Sequence, residues 1–412
     1  MLDDVCSGRL RDGGCPVAGS VVDDEDIGVE VQADGSHNRP DRLFLVQGRD
    51  DNQQLGQNRL LAQRCHVTSA VRRARVNRVS VIIVAYGADP WLEQSVEAAL
   101  ASSGVDVDVV VVDNGCTDGA VARLEGRLRV HVVKPGRNLG FAGGCNAGVA
   151  AAAGAFVALV NPDALVAPPA LQRLVEVAAR TGVGIATASV RLADRPDHLN
   201  SAGNDIHFSG MSWSGCFDEP ASRYDDERPV IAASGAAMAL RRALWEDLSG
   251  FDDEFFAYYE DADLSLRCWQ RGHAVIYVPE AVVVHRYEFS RNAGKFFLLE
   301  RNRTLMVLTC FSSRLLALVA PVLIAIEAAT LGMGVANGWW REKVRSWRWL
   351  IAHRGHVVQR RRAVQAARTV PDRALADMLA VRLRPGNLPP PRWLLPFDVV
   401  LTAYWRLARR LL

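Results

Sequence analysis

The sequence predicts an α/β fold, a doubly wound and mostly parallel sheet with a helical C-terminal extension. Three observations predict it. Continuous apolar, β-branched runs of strand length recur from Val79 onward, each is followed by a segment with helical spacing, and polar residues close the runs. Strands that alternate with helices in this way build a parallel sheet covered on both faces.

The alternation begins with VSVIIVAY, a strand buried on both faces, and DPWLEQSVEAALASS, which has an Asp N-cap, a Pro at the first helical position and helical spacing. VDVVVVDNG is a strand ending at Asp113, TDGAVARLEGR a short helix, and VHVVKPG a strand. FAGGCNAGVAAAAG follows as a helix of small residues, AFVALVNPD as a strand ending at Asp163, and PPALQRLVEVAARTG as a helix. SGAAMAL has the small residues of a close backbone approach and equally those of a buried strand.

In open α/β sheets, ligands bind outside the carboxyl ends of the strands. The residues there are Tyr86 and Gly87, Asp113 and Asn114, Gly136 to Gly140, and Asn161 to Asp163. A lone Asp after a strand is more commonly a helix cap than a ligand, but four polar strand ends together make a pocket. The first turn reads YGADP, without GxGxxG, and no GxxxxGK[ST] occurs, which disfavours a dinucleotide dehydrogenase and a P-loop NTPase. Lacking a glycine cradle, a bound nucleoside diphosphate needs a divalent cation. Hard oxygen ligands with one imidazole suit Mg²⁺ or Mn²⁺, and Asp163 and His285, which closes AVVVH, supply such groups.

A second concentration of charge lies in YYEDADLSLRCWQRGH, where Glu260, Asp261 and Asp263 crowd behind the aromatic run FDDEFFAYY. Such a cluster implies a cation, a proton-transfer task or a solvated helix start. Helical spacing over Leu264, Cys268 and Trp269 with a stop at Gly272 puts Asp261 near a helix N-terminus, where the dipole favours its ionised form. Glu260 and Asp263 can share one side of that turn, whereas Asp261 projects about 100° away and is free to point into the pocket. Arg267 or Arg271 is the expected partner of Asp263.

VSVIIVAY, VVVDNGCTDG, RNLGFAGGCNAG, LVNPDALV, the stretch from SGAAMAL to CWQRGH, and VVVHRYEFSRN, in this order and spacing, resemble the family 2 glycosyltransferases of GT-A fold, especially their rhamnosyltransferase-like branch. The ordered set covers about Val79 to Thr304. The resemblance implies that Tyr86 and Asp113 contact base and ribose, with Asn114, Asn138, Gly140, Asn146 and Asn161 also in the nucleotide pocket. It further implies Asp163 and His285 as metal ligands, Asp261 as the catalytic base, and Glu260 and Asp263 as acceptor contacts or support. The first carboxylate of the family's DXD is Asn161 here, which weakens the contact from that position and leaves Asp163 as the main ligand. The implied activity is inverting, metal-dependent transfer of a sugar from a nucleoside-diphosphate donor, dTDP-rhamnose or a UDP-sugar, to a lipid-linked or cell-envelope glycan. Trp213 is an aromatic surface for the acceptor or a packing residue, and His207 and His273 read as surface or turn histidines.

Residues 1–77 are polar and aperiodic, a flexible extension in which only VEV and LFLV could pair; residues 78–304 form the catalytic domain and 305–412 a helical basic and apolar region. Eight scattered cysteines without CxxC, and no charged leader before an apolar run, lead us to expect a reduced cytosolic protein. Within a net charge of +2, Trp340 to Arg373 holds ten Lys/Arg against two Asp/Glu, so an anionic partner should meet this third. No nucleic-acid recognition motif accompanies the basic tract, and nucleic acid is not an expected partner.

Leu315 to Ala336 is long enough to span a membrane. Its ten Leu, Ile and Val residues are worth about −3 to −6 kcal/mol, and Glu327 near the centre returns about 2.5 to 3.5. A helix lying in the interface or packed on the catalytic domain fits this balance better than a span. Trp339, Trp340, Trp347 and Trp349 interleave with Arg and Lys as interfacial helices do, giving a peripheral protein on an anionic inner membrane face, separable near Thr304 from a soluble catalytic part. The alternatives are a processive polysaccharide synthase, whose QxxRW is absent, and a non-catalytic subunit of the same fold, which has no need of a base.

Overall fold

The computed structural model describes residues 78–286, 294–386 and 395–412, all within one compact unit, Leu60–Leu412. The N-terminal segment 1–77 with its VEV and LFLV runs, and the end of the VVVHRYEFSRN motif, lie outside the described residues. The predicted alternation is present as β1 (Arg78–Gly87), α1 (Leu92–Leu100), β2 (Asp106–Cys116), α2 (Ala120–Leu124), β3 (Val130–Val133), α3 (Gly140–Ala151) and β4 (Phe156–Val160). β5 (Ala164–Val166), α4 (Ala170–Ala178) and β6 (Val183–Leu192) follow, then β7 (Leu199–Ser201) and the hairpin of β8 (Asn204–Ile206) and β9 (Ser212–Ser214). The chain continues through β10 (Arg228–Pro229), β11 (Ala237–Arg241), α5 (Arg242–Asp247), α6 (Glu260–Gln270), β12 (Ala274–His285) and α7 (Lys295–Cys310).

The main sheet runs β10-β12-β6-β11-β4-β1-β2-β3. β1 pairs in parallel with β2 and with β4, so the chain winds outward through β2 and β3 and returns beside β1. That reversal makes the carboxyl ends of β1 and β4 a switch point, where a crevice opens. β11 is inserted antiparallel between β4 and β6, and β12 runs parallel to β6. On one face Val79, Val81 and Ile83 pack with Leu92 and Val96 of α1 and Leu171 of α4. On the other, Ile82 and Val84 meet α3, whose small residues are required. A Cβ on Gly148 would stand 2.4 Å from Ile82 Cγ2 and one on Gly144 2.7 Å from Val84 Cγ1.

The C-terminal helices are α7, α8 (Ser313–Ala336), α9 (Trp340–Ala352), α10 (Arg354–Ala366), α11 (Asp372–Ala376) and α12 (Leu395–Ala408). They share the core cluster of Ile82 and Val84 through Leu305, Met306, Phe311, Leu315 and Trp405. Trp405 stacks on Phe208 at 4.7 Å. The sequence boundary at Thr304 falls inside α7, so the expected clean separation does not match the packing. His207 also departs from expectation: it is fully buried against Phe208, and burial pushes its pKa down to about 3.

The charges of this region are largely turned inward. Lys343 is 0% exposed and paired with Glu300 and Glu327, Arg303 bridges the same two carboxylates, and Trp347 Nε1 donates to Glu327 at 2.5 Å. Glu327 is thus not the uncompensated charge that the insertion balance assumed. The opposite face of α8 carries Ala317, Pro321, Ile324, Ala328 and Val335, all exposed and without charge. Arg361 and Arg368 are likewise engaged with Leu308, Phe311 and Asp372, so the basic tract presents fewer free cations than its composition suggests.

A fragment ending at Thr304 loses Phe311, Leu315 and Trp405, and burying each such side chain is worth about 1.5 to 3 kcal/mol. We expect it to aggregate or to melt without a cooperative transition by circular dichroism. A soluble fragment with a sharp transition would contradict this packing.

Candidate active site

The strand ends converge as the topology requires, but their side chains divide into two groups. Tyr86, the penultimate residue of β1, is 62% exposed and stands over the crevice. Asp113 of β2 lies opposite Ala85, and its Oδ1 accepts from the backbone N–H groups of Gly115 (3.2 Å) and Cys116 (3.0 Å), closing a tight turn. Asn114 is buried, in contrast to its expected place among ligand contacts. Its amide donates to Asn138 Oδ1 (2.9 Å) and Gly140 O (3.0 Å) while its oxygen accepts from Leu139 N (2.7 Å). Asn138 Oδ1 also accepts from Gly140 N at 2.8 Å. Asn114 and Asn138 therefore hold the turn that starts α3. Gly140 has φ +72° there, and a Cβ would stand 2.3 Å from Phe256 O.

Asn146 is used in the same structural way. From α3 it donates to Phe251 O (2.9 Å) and Asp253 Oδ1 (2.7 Å) and accepts from Phe251 N (3.0 Å), fastening the aromatic loop 251–259 to α3. That loop holds Phe256, Tyr258 and Tyr259 at φ 61°, 71° and 72°. Left-handed backbone costs about 1 to 3 kcal/mol at each non-glycine residue and persists only where tertiary contacts enforce it. Asn302 of α7 enforces it here, its amide donating to the carbonyls of Phe255, Ala257 and Tyr258 at 2.8, 2.8 and 2.7 Å.

The loop delivers three carboxylates to the first turn of α6, and each meets a different environment. Asp261 Oδ2 accepts from Gly235 N (2.9 Å) and Asn204 Nδ2 (3.1 Å). Burial pushes its carboxyl above the ordinary range, opposed by the N–H groups of Gly235 and Ala262, so the expected gain in ionisation from the helix dipole does not prevail. Glu260 is buried and driven well above a normal carboxyl by desolvation and by the neighbouring charge of Asp261. For Asp263, burial pulls upward but Arg360 and Arg267 overcome it and hold the carboxyl low. Arg267, not Arg271, is the partner on its own helix at 2.8 Å, and Arg271 pairs with Asp247.

Asp163 sits in the turn between β4 and β5, beside His285 at the end of β12. His285 Nε2 is 3.2 Å from Asp163 Oδ1 and 3.2 Å from Asn161 Nδ2, while Nδ1 faces Asn200 Oδ1 at 2.9 Å. An Nδ1–H donated to Asn200 leaves the Nε2 lone pair to accept from the Asn161 amide, with the Asp163 carboxylate beside it. Two acceptors at that separation suit a shared cation, with Asn200 as the outer partner that sets the tautomer. The donor set fits a hard divalent ion, although the described residues hold no group of three or more His, Cys, Asp or Glu around one point. The SGAA segment links the NPD turn to Asp261: Asn161 N donates to Ala236 O at 3.0 Å, and the adjacent Gly235 N donates to Asp261 Oδ2 at 2.9 Å.

Sequence reasoning left out Asn200, Asn204, Asn302 and Arg360. Each reaches its partner across 44 residues or more, and no local spacing announces such contacts. Trp213, on β9 opposite Asp205, belongs to the hairpin that carries Asn204.

The model of the family described as "Glycosyltransferase like family 2" matches residues 77–306, more than half of the chain. The N-acetylglucosaminyl-diphospho-decaprenol L-rhamnosyltransferase of Mycobacterium tuberculosis is 28% identical over 229 residues, covering 50% of this chain and 75% of that protein. The succinoglycan biosynthesis protein ExoO of Rhizobium meliloti is 36% identical over 115 residues, 27% of this chain and 33% of its own length. Among solved structures, GalNAc-T7 with UDP, GalNAc and Mn²⁺ superposes with a TM-score of 0.50 at 15% identity, over 68% of this chain and 57% of that one, a likeness of fold alone. The matched segment takes in the NPD turn and the EDAD turn, and the chain belongs to glycosyltransferase family 2 and has the GT-A fold.

Proposed function

We propose that this glycosyltransferase is an inverting, metal-dependent enzyme. It moves a sugar from a nucleoside-diphosphate donor, dTDP-rhamnose or a UDP-sugar, to a hydroxyl of a lipid-linked or cell-envelope glycan. The observation that supports this reading is that one short segment, Gly235–Ala236, bonds both to Asn161 of the turn that carries the Asp163–His285 pair and to Asp261. A donor diphosphate and an acceptor hydroxyl need those two functions on opposite sides of one anomeric carbon. The name of the relative described above, an N-acetylglucosaminyl-diphospho-decaprenol L-rhamnosyltransferase, supports a lipid-linked acceptor and transfer of rhamnose.

In this reading Tyr86 and Asp113 face the base and ribose, and Asn114, Asn138 and Gly140 shape the wall behind them. Asp163 and His285 hold Mg²⁺ or Mn²⁺, which when bound offsets the charge of the diphosphate. Asp261 accepts the proton of the acceptor hydroxyl as the new C–O bond forms and the bond from the anomeric carbon to the phosphate oxygen breaks. Gly235 N–H and Asn204 fix the Asp261 carboxylate, and its raised pKa makes it a better base than a solvated aspartate. Residues 78–304 carry the chemistry and the C-terminal helices support it. A processive synthase and a non-catalytic subunit are less well supported, since QxxRW is absent and the base is present.

We place the protein at the cytoplasmic face of the membrane, lying on it. The most apolar 18-residue window of the 24-residue α8 has mean hydropathy 2.2, and only 28% of it is buried. α12 lies alongside, with Tyr404 hydroxyl donating to Leu318 O, and adds exposed Val399, Val400 and Leu407. Exposed Arg341, Arg345 and Arg348 on α9 suit anionic headgroups at the rim.

Three measurements test this reading. A screen of nucleotide sugars for release of nucleoside diphosphate should find a donor only with Mg²⁺ or Mn²⁺. UDP or dTDP should raise the melting temperature with metal and not with EDTA, and Asp163→Ala should abolish the shift; equal shifts in both conditions would contradict the site. In flotation with phosphatidylglycerol vesicles at low salt, the full chain should bind and the Ile324→Glu, Val335→Glu double variant should bind on the order of 10-fold more weakly. A full chain that ignores such vesicles ends the membrane assignment.

A further inference from the structure

The cluster beneath Asp261 contains a residue that neither the family match nor the proposed chemistry uses. Arg360 lies on α10, beyond the matched segment 77–306, yet its guanidinium is almost fully enclosed within the domain. Its Nη2 donates to Asp263 Oδ2 at 2.6 Å, its Nη1 to Thr309 Oγ1 at 2.8 Å, and its Nε pairs with Asp252. Asp252 opens the left-handed loop 252–259 and Asp263 lies in the helical turn that ends it. One side chain thus ties both ends of the loop to α7.

We infer that Arg360 is a positioning residue for glycosyl transfer, a clamp from the C-terminal helices that sets the placement and charge of the turn bearing Asp261. The inference rests on Asp261 being the base. The loop gains three left-handed residues and no internal ladder, so its shape depends on what grips it. Asn302 grips its middle and Arg360 its ends. Arg360 also supplies charge. Facing Asp263 are Arg267 from its own helix, Arg360 from α10 and the Cys310 thiol from α7, donating at 3.3 Å; His356 shares Asp252 with Arg360 at 2.9 Å. Of these, Arg360 is the cation contributed from outside α6 to Asp263. Without it, the negative charge of Asp263 is felt more strongly by Glu260 and Asp261, which lie within the same turn.

The sign follows directly. A carboxylate base works in its ionised form, so transfer falls as pH drops through its pKa. Removing a neighbouring positive charge raises that pKa and moves the acid limb to higher pH. The test compares Arg360→Gln and Arg360→Lys with the wild-type full chain, using the donor found in the screen. Melting curves and UDP binding serve as controls for folding and the donor site. Arg360→Gln should lower kcat about 10- to 100-fold, as displacement of a catalytic group does, with donor KM within about two-fold. Its acid limb should shift upward. Arg360→Lys keeps the charge but not the fork, so it should restore the limb while recovering only part of kcat.

A folded Arg360→Gln with wild-type kcat and pH profile overturns the inference, as does a loss confined to melting temperature or donor KM. Should Arg360→Gln fail to fold, Arg360→Lys decides by itself: reduced kcat with an unmoved limb supports the clamp, and unchanged kcat overturns it. The Asp261 assignment is untouched by these outcomes, because it depends on the substitution of Asp261 itself.

Discussion

Three carboxylates within four residues, two of them buried and Asp261 between them half-buried, are the constraint around which this molecule is arranged. Burying one charge without compensation costs several kcal/mol, and burying three in one helical turn adds their mutual repulsion. The protein meets the constraint in three different ways. Glu260 is driven toward its neutral form, Asp263 is held ionised between two guanidinium groups, and Asp261 is raised by burial against the opposing hydrogen bonds from Gly235 and Ala262. Pairs of acids whose environments push their protonation apart are a recurrent device for giving one of them a proton-transfer role. The left-handed loop before them, the small residues of SGAA and the asparagine on β8 are all explained by the need to present that turn.

The C-terminal helices reverse the usual distribution of charge. Lys343, Arg303 and Arg360 are inside, paired with Glu300, Glu327, Asp252 and Asp263, while Ile324, Val335 and Val399 face outward. Such an inversion fits a surface whose partner is apolar rather than aqueous. It also connects the two ends of the proposed activity. α7 and α10, which belong to the same helical region as the apolar face on α8 and α12, grip the loop and turn that carry Asp261 through Asn302 and Arg360. In the proposed activity, an acceptor with a lipid tail and the base that receives its hydroxyl proton would then be served by one packing unit.

The sheet was legible because buried parallel strands write themselves as continuous β-branched runs, and the crevice was legible because topology places ligands at strand ends. VSVIIVAY, VDVVVVD and AFVALV became β1, β2 and β4, and Tyr86 and Asp163 lie at their ends. What periodicity could not convey was which polar side chains spend their bonding capacity on the protein itself. Asn114 looks like a ligand contact by position and is a latch by geometry. Glu327 looked like an obstacle to apolar burial because its partners, Arg303 and Lys343, lie 24 and 16 residues away on other helices. The +8 composition of the basic tract concealed that Lys343 and Arg360 are core residues.

The central claim is that Asp261 receives the acceptor proton while the donor is held elsewhere. It is tested most directly by comparing transfer and donor binding in Asp261→Asn, which preserves the shape of the side chain and most of its hydrogen bonding. The account predicts a folded protein with donor affinity within about two-fold of wild type and transfer lower by on the order of 100-fold or more. A folded Asp261→Asn that transfers sugar at a near wild-type rate would contradict it.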